Sequence, residues 1–138
     1  MKIKTLVTIM MVLGVVFIAS SVCLGQEAKM EEPLIVEDAV ICQDVVDRTP
    51  VESGFVFSND IGKVYCFSRV VGAKTDTQIT HNWYFNDVQV ASVPLNVRSN
   101  NWRTYSSKKV MPEYKGNWKV EIVAQDGQVL KQLTFTIE

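Results

Sequence analysis

Residues 118–137 alternate apolar and polar side chains about one Asp-Gly pair, and this stretch restricts the fold more than any other. Trp118, Val120, Ile122 and Ala124 alternate with Lys119, Glu121 and Val123. That is the period of a half-buried strand. Asp126-Gly127 follows, a two-residue signal for a type I′ hairpin turn. Beyond it Val129, Leu133, Phe135 and Ile137 alternate with Gln132, Thr134 and Thr136. A two-residue turn sets Trp118 opposite Phe135, Val120 opposite Leu133 and Ala124 opposite Val129. It also sets Lys119 opposite Thr134 and Glu121 opposite Gln132. One register therefore matches apolar with apolar and polar with polar, Ile122 against Lys131 excepted.

A second hairpin is expected around Asn86-Asp87. Ile79, His81, Trp83 and Phe85 share one face, and Val88–Val93 returns. Phe85 then faces Val88, Trp83 faces Val90 and His81 faces Ser92. The apolar positions change phase at Pro94, where a bulge or a sheet edge is expected. Further strands are expected over residues 36–46, 63–70 and 102–108. Arg48-Thr49-Pro50, residues 58–62, 72–76 and 112–116 punctuate them. No window has a helical period. The chain reads as all-β, an antiparallel immunoglobulin-like β-sandwich of about seven strands, with Trp83 and Trp118 as structural core residues.

The N-terminus has a different character. Lys2 and Lys4 precede an uncharged run from Thr5 to Gly25, rich in Val, Ile, Met and Leu. This is the layout of a secretory signal peptide, with cleavage expected after Gly25. An uncleaved anchor and a lipidated Cys23 are the competing readings, and all three export the remainder. The expected organisation is a signal peptide over 1–25, a linker over 26–35 and one domain over 36–138. Without Lys2 and Lys4, 12 basic residues face 15 acidic ones, so the exported part is mildly acidic. It is expected in the periplasm or cell envelope. Export and the absence of a basic balance disfavour nucleic acid as a partner.

Of three cysteines, Cys42 and Cys66 remain after cleavage. In an oxidising compartment they form a candidate disulfide closing a loop of about 25 residues, which would stabilise by roughly 3 kcal/mol. Two buried thiols on neighbouring strands are the alternative. His81 is the only histidine. Its place beside Trp83 on the apolar face marks it as structural, hydrogen-bonded to a hydroxyl or backbone group. A nucleophilic Ser or Cys needs a base, and His81 alone has an ordinary pKa near neutrality. No catalytic residue, metal site or cofactor is expected, and the chain is not read as an enzyme.

The stretch from Arg98 to Lys109 combines basic, aromatic and hydroxyl groups suited to an anionic or sugar ligand. The candidate ligand-binding residues are Arg98, Trp102, Arg103, Tyr105, Ser107 and Lys108. On a strand, Trp102 and Lys108 face one way, and Arg103, Tyr105 and Ser107 the other. The alternative is an ordinary sheet strand with Trp102 buried and a solvated cationic rim.

The order of motifs carries a resemblance. Cys42 opens a stretch running to Asp47-Arg48-Thr49-Pro50, and Gly62-Lys63-Val64-Tyr65-Cys66-Phe67 follows. Next come Ile79-Thr80-His81-Asn82-Trp83-Tyr84, Asn101–Lys108, Gly116-Asn117-Trp118-Lys119-Val120 and Asp126-Gly127-Gln128-Val129-Leu130. Over roughly residues 38–138 the chain resembles the bacterial domain of unknown function 2914 family. The resemblance implies a bacterial, envelope-associated module and carries no catalytic residue over to this chain. The expectation is an exported, non-catalytic binding or interaction module whose partner is an envelope protein, polymer or glycan. Membrane contact would come only through an uncleaved N-terminal segment. A structural stabiliser of an envelope assembly is the alternative, and an enzyme the remoter one.

Overall fold

A computed structural model describes residues 33–138. The expected signal peptide over 1–25 and most of the linker over 26–35 lie outside the described residues. Nine strands follow in chain order: β1 (Ile35–Val46), β2 (Thr49–Ser53), β3 (Val56–Phe57), β4 (Lys63–Val71), β5 (Thr77–Phe85), β6 (Val88–Val97), β7 (Asn101–Lys109), β8 (Gly116–Ala124) and β9 (Val129–Ile137). They form two sheets, ordered β2-β1-β4-β7 and β3-β9-β8-β5-β6. Every pairing is antiparallel except β3 with β9. The fold is therefore the expected all-β sandwich. The order β6-β5-β8-β9 is the C′-C-F-G order of the immunoglobulin arrangement, with Trp83 on the C strand. The short strands β2 and β3 take the number from about seven to nine.

The core follows from alternation. Ile79, His81 and Trp83 on β5, Val120 and Ile122 on β8, and Phe135 and Ile137 on β9 are buried against Ile41, Val64, Cys66 and Val70 of the other sheet. Trp83 meets the Phe135 ring edge-on at 6.2 Å, and Trp118 stacks on Phe135 at 5.8 Å. Each such side chain contributes about 1.5–3 kcal/mol by leaving water.

The β8–β9 register is as expected from Trp118↔Phe135 to Ile122↔Lys131. The last pair differs: Val123, not Ala124, faces Val129. Leu130 is the extra residue, and the bulge turns it toward the core. The turn is also not type I′. Gly127 is in the left-handed region (φ 90°) while Asp126 is not. Gly127 N donates to Ala124 O and Ala124 N to Gln128 O, which makes a three-residue loop with a left-handed glycine. The two-residue type I′ turns are at Asn86-Asp87 and Asp47-Arg48, where both residues have positive φ.

In the β5–β6 hairpin Phe85 faces Val88 as expected, but Trp83 faces Ala91 and His81 faces Val93. The expected Trp83–Val90 and His81–Ser92 pairs do not form. At Pro94 the sheet edge expected there is found and the bulge is not: the ladder shifts between Trp83 and Tyr84, making Val90 the bulged residue. The reason is burial. The earlier slip brings Ala91, Val93, Leu95 and Val97 onto the core face together. Pro94 is tolerated because β6 is an edge strand.

Candidate functional site

Cys42 and Cys66 are both buried free thiols, so the expected disulfide is absent. Cys66 faces Ile41 and Cys42 faces Tyr65 in the β1–β4 ladder. Residues directly opposite share a face and adjacent residues do not. The two sulfurs therefore point to opposite sides of the sheet. Burial pushes the Cys66 thiol up to about 12 and raises that of Cys42.

His81 is fully buried. Its Nε2 lies 2.9 Å from Ser68 Oγ on β4 and its Nδ1 lies 2.7 Å from Ser106 Oγ on β7. Trp83 Nε1 donates to the same Ser106 Oγ at 3.1 Å. Ser106 Oγ thus accepts from the indole, and the two serine hydroxyls satisfy both ring nitrogens, one donating to the neutral ring and the other accepting from it. Desolvation lowers the imidazole pKa to about 4, so the ring is neutral at physiological pH. The cluster is a sealed polar bridge between the sheets. The hydroxyl expected for His81 exists, but both of its partners come from the opposite sheet.

The solvent face of β4 and β7 gathers the exposed chemistry. Inward on β7 point Trp102, Thr104, Ser106 and Lys108; outward point Arg103, Tyr105, Ser107 and Lys109. The expected split of the candidate residues is thus observed. Trp102 packs on the core, and Lys108 Nζ turns to the Lys109 carbonyl. Arg98 follows β6, before β7 begins, at the far end from Lys109. Arg103 Nη1 donates to the Arg48 carbonyl at 3.4 Å, and the Arg48 guanidinium lies 5.8 Å from the Trp102 ring centroid. Arg48 tips the β1–β2 hairpin, which leaves the β4 ladder at Cys42. The hairpin must therefore fold back over the sheet to reach Arg103, and the outward-facing Phe67 and Cys42 are buried accordingly.

Of the six candidates, Tyr105 and Ser107 lie on the outward face of β7 with no side-chain hydrogen bond among the described residues. The fold adds three residues to them. Lys63 stands directly opposite Lys109, and Tyr65 opposite Ser107. The Tyr65 and Tyr105 rings are 6.0 Å apart, with Lys63 Nζ 5.8 Å from the Tyr65 centroid. Lys63 and Tyr65 are some 40 positions from Tyr105 in sequence. Their signal was the alternation of Lys63 and Tyr65 with Val64 and Cys66, which places them on a solvent face. Among the described residues, no three His, Cys, Asp or Glu side chains group to hold a metal.

Two packed sheets around a sealed polar bridge, with a cationic tyrosine patch outside, define a β-sandwich domain. Residues 76–137, spanning β5 to β9, match the model of a family described as Protein of unknown function (DUF2914), which supports the resemblance carried by the motif order. The comparison with curated proteins found no match.

Proposed function

We propose that this chain is an exported, non-catalytic binding module whose β4–β7 face engages an anionic envelope polymer. The carrying observation is the Lys63–Lys109 pair. Two like charges directly opposite in a ladder destabilise it, and an anionic group seated between them converts the repulsion to attraction. Tyr65 and Tyr105 beside them offer ring faces and hydroxyls to a chain running along the strands. The two lysines ahead of the apolar N-terminal run support export. The sealing of His81 between two serines supports a non-catalytic reading, since it withholds that imidazole from any outside substrate.

Dextran sulfate, with neutral dextran beside it, is the probe. Binding is expected for the sulfated polymer alone, to weaken with salt, and to fall in a Lys63→Glu/Lys109→Glu variant that keeps the wild-type circular dichroism. Equal binding by the folded variant, or none by the wild type, overturns the proposal.

A further inference from the structure

The opposite sheet carries a concavity that the cationic patch does not explain. A cleft of about 610 Å³ runs over the solvent face of β8 and β9, from the Asn86-Asp87 turn to Phe55. Its floor is a ladder of polar pairs, Asn117 opposite Thr136 and Lys119 opposite Thr134, with Gln132 beyond. One end is an aromatic platform. Phe55 is 77% exposed, the most exposed of the large apolar side chains among the described residues. Its backbone is nonetheless pinned: Thr136 N donates to the Phe55 carbonyl at 2.8 Å, and Glu138 N to the Phe57 carbonyl at 3.0 Å. A rigid backbone thus holds a ring out of the core, above a row of hydroxyls and amides. The other end is equally fixed. Asn86 N donates to Asn117 O, and Asn117 N to Asn86 Oδ1, which sets the Asp87 carboxylate at the rim.

We infer that this cleft binds a neutral saccharide. A sugar ring has an apolar face for Phe55 and vicinal hydroxyls that amides, threonines and a carboxylate take in pairs. The charges of the lining do not select an ionic ligand, since they are one lysine and one aspartate. Lys119 is held by Glu121 at 3.5 Å and lies 4.6 Å from the Tyr84 ring, and the other charged group of the lining is Asp87. The lining therefore presents no net charge, in contrast to the Lys63–Lys109 face. A peptide strand would need apolar pockets at alternate positions, and the floor offers polar groups there instead.

The test is an amide chemical-shift titration of the isotope-labelled chain with cellotriose, chitotriose and maltotriose. Saturable shifts confined to residues 55–56, 87, 117–119 and 132–136 are expected with at least one. Phe55→Ala should weaken that binding about tenfold. Asn117→Ala should also weaken it, and both variants should retain the wild-type shift dispersion of the core. Absence of saturable shifts with all three sugars overturns the inference. So do shifts that map to β4 and β7, or affinities unchanged in both variants. The cationic patch is read by sulfated dextran, so failure of either site leaves the other standing.

Discussion

His81 Nδ1 lies 2.7 Å from Ser106 Oγ, tying an inner strand of one sheet to the edge strand of the other inside the core. Burial holds this imidazole near a pKa of about 4, against 6.5 for the free side chain. As pH falls from about 6.5 to about 4, the unfolded chain takes up a proton that the folded chain refuses. The neutral ring's contribution is complete above about 6.5 and is lost as pH falls to about 4. The loss is on the order of 3 kcal/mol at most. Urea denaturation across that window should show stability falling with acidity in the wild type. The slope should be shallower in His81→Gln, and identical slopes would refute the assignment.

Ser106 serves two buried donors or acceptors at once, so its hydroxyl matters more than its size. Ser106→Ala leaves His81 Nδ1 and Trp83 Nε1 without a partner. The expected cost is about 1–3 kcal/mol for each stranded group. Ser107→Ala, one residue along on the exposed face, should change the urea midpoint little. Similar midpoints for the two variants would remove the bridge from the account of stability.

The free thiols predict chemical silence. Native protein treated with iodoacetamide and mapped by peptide mass should carry no label at Cys42 or Cys66, because both are buried and their thiolates disfavoured. Both should label fully in denaturant. The thermal midpoint should be the same with and without reductant. A mass two hydrogens short across these cysteines would contradict the opposed-face geometry.

Lys63→Glu should separate stability from binding. It replaces a repulsive cross-strand pair with an attractive one against Lys109. On an exposed face this should stabilise by a few tenths of a kcal/mol. Sulfated-polymer binding should fall in the same variant. A loss of both stability and binding would show that Lys63 serves packing instead.

Gly116 is predicted to resist substitution. Its φ of 140° lies where side chains are rarely accommodated, and an added Cβ would come 2.9 Å from Asn86 Oδ1. Gly116→Ala should destabilise by about 1–3 kcal/mol. Gly54→Ala meets nothing nearer than 3.9 Å and should be mild by comparison. Calorimetric midpoints for the two would check this.

Local alternation was enough to read both long hairpins, the all-β class and the structural place of Trp83, Trp118 and His81. Each depends on a strand's two-residue period, which neighbours in sequence display. The ladder slips at Val90 and Leu130 were not legible, because a bulge is set by which residues the opposing sheet can bury. The Cys42–Cys66 pairing failed for a related reason. Spacing shows that two cysteines can reach neighbouring strands, and only the register shows their faces. The candidate patch was half legible: the β7 alternation gave its two faces, while Lys63 and Tyr65 entered through the β4 ladder.

By itself, then, the sequence determined what local periodicity and turn chemistry control: strands, most of their registers, and which face of each goes inside. Tertiary structure alone decided which faces meet. It gave His81 its two serines, kept the thiols apart, folded the β1–β2 hairpin onto Arg103 and set Lys63 against Lys109. The physical reason is that these contacts join residues tens of positions apart. Their pairing is selected by burial of the whole core, which no short stretch of sequence encodes.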